Sequence, residues 1–160
     1  MEYITLPHYC SDVEGVTPFI DFGNPDDAGM DLRSSAPTDI TLQSGEDYIF
    51  PTGLQIHIGS TTTNMPIGMG IVGMIVPRSG LGFKHYTRLA NTAGIIDSGY
   101  QKEIMVKIRN ESDHEITISR GERMCQMMFM PYFNAIKFDK VQMFTSDSER
   151  GAGFGSSGRI

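Results

Sequence analysis

"EIMVKIRN", residues 103–110, sets the period of the whole chain. Ile104, Val106 and Ile108 fall on every second position, and three of the four alternate positions, Glu103, Lys107 and Arg109 but not Met105, are charged. A strand turns successive side chains to opposite faces, so this spacing predicts one buried and one solvated face. A helix would need apolar residues three and four apart. The same period of two, or a short apolar run, recurs in "ITL" (40–42), "LQIHI" (54–58), "IVGMIV" (71–76) and "EITIS" (115–119). Gly45, Pro51–Gly53, Asn110–Asp113 and Gly121 punctuate these segments at the spacing of an all-β sandwich or barrel. No amphipathic stretch of ten or more residues competes with them, and "SGLGFKH" (79–85) is expected to make one helical turn at most.

Composition bounds the rest. A chain of 160 residues is long enough for one domain with a sizeable core, and 39% hydrophobic with 20% charged content is ordinary for a globular protein. The formal net charge of −6 argues against a polyanion such as nucleic acid as partner. Cys10 and Cys125 form neither a disulfide framework nor a metal-ligand spacing, so reduced thiols are expected. No apolar run approaches the roughly 20 residues of a membrane helix, and residues 1–10 lack a basic-then-apolar leader layout. These features predict a soluble intracellular protein. The eleven methionines, several within "RMCQMMFMP" (123–131), read as core filling. The Thr-rich stretch 59–70 and the Gly/Ser-rich tail 146–160 are expected to be mobile.

Five segments place glycine beside polar or charged residues more often than turns alone require. They are "AGMDLRS" (28–34), "PRSGLG" (77–82), "NTAGIIDSGY" (91–100), "GERMCQM" (121–127) and "RGAGFGSSG" (150–158). "PRSGLG" offers a guanidinium fork, a hydroxyl and accessible backbone N–H groups, which suit phosphate oxygens. Taken alone it reads more simply as a strand-to-turn junction with a surface arginine. "GAGFGSSG" is neither a dinucleotide fingerprint nor a P-loop, because no lysine follows its glycines and too little chain remains for the required helix.

In this order and spacing, the five segments resemble the five motifs of the trimeric dUTP diphosphatase (dUTPase) family, over about residues 28–158. The resemblance implies a jelly-roll-like β-barrel or sandwich over residues 1–145 and a flexible tail, 146–160, carrying the fifth motif. It implies hydrolysis of dUTP to dUMP and pyrophosphate. The third motif would be a hairpin whose backbone reads uracil, with Asn91, Gly94, Ile95 and Ile96 lining the slot. A slot read by backbone groups explains its glycines, since a Cβ would obstruct it. Tyr100 would pack on the deoxyribose, and Asp97 would be the general base for in-line water attack on the α-phosphorus. Ser79 would stabilise the leaving pyrophosphate, while Arg78, Gly80 and Gln126 hold the phosphate chain.

Mg²⁺ is the implied cofactor, held mainly by the substrate phosphates. Asp31 would either reach it through water or orient a neighbouring arginine. From the tail, Phe154, followed by Gly155, would stack on uracil while Arg150 with Ser156 or Ser157 closes over the terminal phosphates. The family builds each site from three chains, so a homotrimer with shared sites is implied, acting in the cytoplasm (the host cytoplasm for a phage or viral protein). The chain departs from the family pattern at Gly99, at Lys102 and in a tail one residue shorter between Arg150 and Phe154. Two other readings stay open on the same fold: a dCTP deaminase, alone or combined with dUTP hydrolysis, and a regulatory binding protein. The Asp97–Tyr100 pair and the aromatic tail favour the hydrolase.

Overall fold

A computed structural model describes residues 5–10, 22–59 and 66–142. Within them eleven strands and one helix follow in the order β1 (His8–Cys10), β2 (Met30–Arg33), β3 (Ile40–Leu42), β4 (Asp47–Pro51), β5 (Leu54–Ile56), β6 (Met69–Pro77), α1 (Ser79–His85), β7 (Thr87–Leu89), β8 (Gly94–Ile96), β9 (Met105–Asn110), β10 (Ile116–Ile118) and β11 (Arg123–Phe133). Every pairing is antiparallel, and most join strands distant in sequence. A four-stranded sheet runs β2-β11-β6-β8 and a three-stranded one β4-β9-β7, with two further pairs, β1-β5 and β10-β3. The expected all-β, jelly-roll-like fold is borne out, in its sandwich form. Among the described residues the sheets do not close into a barrel.

The inner faces of these sheets share one core. Met30, Leu32, Ile71, Ile75 and Met127 from the four-stranded sheet are buried with Phe50, Leu89, Val106 and Ile108 from the three-stranded one. β9 follows the alternation read above: Val106 and Ile108 are buried, whereas Met105 and Lys107 face outward. At its end Asn110 is fully buried, with all four of its amide hydrogen-bonding positions used. Its Nδ2 donates to the carbonyls of Leu42 (3.0 Å) and His114 (2.7 Å), and its Oδ1 accepts from the Ser112 N–H and hydroxyl (2.9 and 2.6 Å). Gly45, Gly53 and Gly121 take positive φ of 79°, 69° and 79°, where a Cβ would be strained, so these breakers do reverse the chain.

Three local expectations change. "SGLGFKH" forms the seven-residue helix α1, about two turns rather than one. Its end is set by Tyr86 in the left-handed conformation (φ 51°), and Lys84 and His85 complement the last turn's carbonyls. β11 is the longest strand, where the sequence suggested only Met-rich filling; Met124 and Met127 are indeed buried. Of the stretch 59–70, residues 66–70 make a turn closed by Met69 N–H to Pro66 O (3.0 Å) and the start of β6. Residues 60–65 and the tail 146–160 lie outside the described residues.

Candidate active site

β6 ends at Pro77, Arg78 stays extended (φ −88°, ψ 138°), and α1 starts at Ser79. The first N–H groups of a helix have no acceptor within it, so this junction offers donors as well as side chains. It borders a cleft of about 500 Å³, lined by Arg78, Ser79, Gly80, Asp31, Arg123 and Gln126 together with Asn24, Asp27 and Gly29. Apart from its chain neighbours and its own helix backbone, a Cβ at Gly80 would meet nothing within 4 Å, and Gly80 lines the cleft.

Asp31 is the hub of this cleft. Its side chain is only 8% exposed, and both of its oxygens are engaged. Oδ1 accepts from Arg78 Nε at 2.9 Å and Oδ2 from Arg123 Nη1 at 3.2 Å. Arg78 Nη1 also donates to the Arg123 carbonyl at 3.3 Å, which locks the two arginines side by side. One buried carboxylate therefore fixes two guanidinium groups whose outer faces reach the cleft. This arrangement suits a polyanion such as a phosphate chain.

Strict alternation would put Arg123 and Gln126, three residues apart, on opposite faces of β11. The pairing register with β2 shifts between Arg123 and Cys125, a bulge that lets Met124 and Cys125 both turn inward. Arg123 and Gln126 then line the same cleft. Gln126 Nε2 donates to Pro77 O (3.3 Å), and its amide lies so close to Gly29 that any Cβ there would collide with it. Burial, with the Asp31 carboxylate adding to it, pushes the Cys125 thiol up to about 12, against the opposing pull of Arg78. Cys125 is thus a neutral packing residue behind the cleft.

The third motif is a wide loop between β7 and β9, which pair with each other. Within it β8 pairs with β6 (Gly94 opposite Ile75, Ile96 opposite Gly73) rather than with a return strand of its own, so the expected simple hairpin is not formed. A tight turn follows, closed by Tyr100 N–H to Asp97 O (2.9 Å). It is anchored by Gly59 N–H to Ser98 O (2.7 Å) and by the Tyr100 hydroxyl to Glu103 O (2.7 Å). Asp97 is exposed at this turn, as are Tyr100 and Ile95, while Ile96 is half-buried. Asn91 and Gly94 line a second cleft of about 360 Å³ with Ile49, Leu89, Met105 and Lys107. Beside Asn91, Thr92 holds φ at 65°, a strained value for a β-branched residue, and Ala93 N–H closes onto Asn91 O at 2.7 Å.

The sequence pattern of the dUTPase family matches residues 17–158. The chain belongs to the dUTPase family. The deoxyuridine 5'-triphosphate nucleotidohydrolases of Pectobacterium carotovorum subsp. carotovorum (strain PC1) and Serratia proteamaculans (strain 568) are each 44% identical to it over 143 residues, covering 89% of this chain and 88% of theirs. Among solved structures, the Staphylococcus bacteriophage 80alpha dUTPase with dUPNHPP superposes with a TM-score of 0.77 at 24% identity, covering 97% of this chain and 99% of that one. The dUTPase from phage phi11 of S. aureus gives 0.70 at 19%, covering 89% and 99%. At those identities the structures speak for the fold of this dUTPase.

The dUTPase motifs fall into two groups. Asp31, Arg78, Ser79, Gly80 and Gln126, drawn from the first, second and fourth motifs, meet in one cleft. Asn91 and Gly94 line the other, and Asp97 stands on the exposed turn beyond β8. Arg150, Phe154, Gly155, Ser156 and Ser157 lie outside the described residues. Arg123 is a cleft residue that sequence reasoning passed over. It stands in the quoted fourth motif, yet a period of two from Gln126 assigns it to the other face, and the bulge is invisible in the sequence.

Proposed function

We propose that this chain is a dUTP diphosphatase that hydrolyses dUTP to dUMP and pyrophosphate. The observation that carries the reading is the Asp31–Arg78–Arg123 cluster, two arginines held by one buried carboxylate beside Ser79 and the Gly80 backbone. In this reading Arg78, Arg123, Gly80 and Gln126 grip the phosphate chain. The Ser79 hydroxyl donates to the oxygen bridging the α- and β-phosphates, where charge develops as that bond breaks. Asp97 orients a water for in-line attack on the α-phosphorus and takes its proton. A general base must lie within hydrogen-bond reach of the proton it takes, and the exposed turn leaves Asp97 open to such a water. The new P–O bond forms as the bond to the leaving pyrophosphate breaks. Uracil enters the cleft of Asn91 and Gly94, with Tyr100 on the deoxyribose and Phe154 of the tail closing over the base.

A divalent cation, Mg²⁺ in this reading, fits the donor set present. Both Asp31 oxygens are taken by arginines, and among the described residues no group of three or more His, Cys, Asp or Glu side chains could hold a metal. A hard cation that keeps its waters and binds through substrate phosphates needs no such cage. When bound, it neutralises phosphate charge and supports departure of pyrophosphate. Asp31 is therefore read as the residue that orients the arginines.

The separation of the two clefts and the exposure of Asp97 support a homotrimer in which one subunit supplies the phosphate cleft, another the base slot and a third the tail. The domain boundary proposed from the sequence, residues 1–145 followed by the tail, suits that arrangement. In the same reading the enzyme acts in the cytoplasm; among the described residues no helix is long and apolar enough to cross a membrane. The test is incubation with each deoxynucleoside triphosphate and Mg²⁺, scoring pyrophosphate and ammonia. Pyrophosphate and dUMP from dUTP are expected. Ammonia from dCTP would assign the chain to the deaminase reading, and no turnover of any nucleotide would favour a binding protein.

A further inference from the structure

The phosphate cleft is less positive than its two arginines suggest. Among the described residues, its charged lining groups are Arg78, Arg123, Asp31 and Asp27. Two cations and two carboxylates cancel, so this lining is neutral overall, within a chain of formal net charge −6. Asp31 is engaged by the arginines through both oxygens, with its side chain only 8% exposed. Asp27 is placed differently. It is exposed, and its turn is closed by its own N–H donating to the Asn24 carbonyl at 3.1 Å. Its Oδ2 accepts from the Asn24 N–H at 2.8 Å and from Asn24 Nδ2 at 3.2 Å. Both donors are neutral, so they fix the carboxylate beside the cleft and leave its charge in place.

We propose that Asp27 is a specificity-determining residue of the phosphate cleft, making it discriminate a cation-bound phosphate chain from a bare one. This rests on the reading that the cleft takes the phosphate chain of dUTP. A bare triphosphate is a polyanion and meets a neutral lining in which one carboxylate repels it. A divalent cation on the phosphates cancels part of that charge, so the repulsion falls when the two arrive together. Without Asp27 the lining would carry a net positive charge and accept the bare chain more readily. The carboxylate thus works as an element of rejection beside the attraction of the arginines.

The test is calorimetric binding of a dUTP analogue with a non-cleavable imido bridge, in excess Mg²⁺ and in EDTA, with melting temperature alongside. Asp27→Asn keeps the side-chain oxygen that the Asn24 N–H needs and removes only the charge. Two unit charges several ångström apart in water change a binding constant about two- to fivefold. A divalent cation alters the ligand by two such units. Asp27→Asn should therefore lower the ratio of affinity in Mg²⁺ to affinity in EDTA by about three- to tenfold, with most of the change in EDTA. The gap between variant and native protein in EDTA should narrow as salt is raised, which a merely structural role would not produce. Asp26→Asn removes an equal charge from the exposed neighbour outside the cleft lining and should lower the ratio less. An unchanged ratio in Asp27→Asn, an equal fall in Asp26→Asn, or native protein indifferent to Mg²⁺ overturns the proposal while leaving the dUTPase reading intact. Native protein that fails to bind the analogue even in Mg²⁺ would overturn the phosphate-cleft reading, and the proposal with it.

Discussion

Asp31→Asn tests the hub of the phosphate cleft with almost no change of shape. The carboxylate accepts on both oxygens, from Arg78 at 2.9 Å and from Arg123 at 3.2 Å. An amide accepts on one side only and donates on the other. The shorter Arg78 bond should keep the carbonyl, which turns the new NH₂ toward Arg123 and sets donor against donor. Breaking a fully buried ion pair costs about 3–5 kcal/mol. Here Arg78 and Arg123 are 29% and 43% exposed, so water takes up much of the loss. The stability cost should be about 1–2 kcal/mol, near the worth of one charged hydrogen bond. For a chain of this length that lowers Tm by about 2–8 °C.

The effect of Asp31→Asn on catalysis should be larger than its effect on stability. Arg78 and Arg123 would no longer be held together, and displacing a substrate-positioning group by an ångström can cost about 10²-fold. A fall of that order in kcat/KM for dUTP is expected from a pyrophosphate-release assay. Arg123→Met should move activity in the same direction, and the double variant should lose less than the sum of the two, because both remove one interaction. Wild-type kcat/KM in Asp31→Asn refutes the hub. Full rescue by excess Mg²⁺ would mean that Asp31 serves the metal through water rather than the arginines.

Asp97→Asn should retain dUTP affinity by calorimetry while turnover drops about 10²–10⁴-fold, the range of a lost general base; wild-type turnover would remove Asp97 from the mechanism. Trimers refolded from an Asp97→Asn chain with its tail and an otherwise native chain ending at Glu149 should regain activity that neither parent has. A mixture that stays inactive despite verified subunit exchange would mean that each tail serves its own chain's Asp97. Ionisation of Cys125 should make stability depend on pH only in alkali: burial raises its folded pKa from 9.0 to about 12, so the neutral thiol's contribution is complete below about pH 9 and is lost as pH rises toward 12. Denaturant melts should show Cys125→Ala declining less over that window than the native chain, and an identical decline would exclude the thiol as its source.

The fold was legible where one face of a strand meets water and the other the core. β9 alternates because Lys107 and Arg109 must stay solvated while Val106 and Ile108 are buried, and that is a local constraint. β4 carries Tyr48, Ile49 and Phe50 in succession, with Ile49 exposed on the outer face, so its alternation is hidden by three apolar neighbours. β11 hides its period for a different reason. The bulge buries Met124 and Cys125 together, which turns a strand pattern into what looks like a methionine-rich filler. α1 is longer than its glycines suggest: Gly80 and Gly82 lower its intrinsic propensity, and what closes its last turn is the Tyr86 N–H bonded to Leu81 O, a contact set by chain geometry rather than by residue type.

The candidate site divides along the same line. The turn from Asp97 to Tyr100 is closed by its own backbone hydrogen bond, so its residues are brought together by neighbours in sequence. The phosphate cleft has no such local origin. Asp31 reaches it from β2, Gln126 and Arg123 from β11, and Arg78 from the end of β6, and the three strands meet only because β11 pairs with both others. Residue types alone could nominate Arg78 and Ser79 for phosphate, but not say which carboxylate would hold which arginine. That choice is made by register: Gln126 opposite Asp31 on one side and Val76 on the other brings the carboxylate to the cleft side of Arg78. A one-residue slip of β11 against β2 would turn Gln126 toward the core and break the cluster, whatever the motifs. The bulge at Met124 is therefore as much a part of this site as the arginines it aligns.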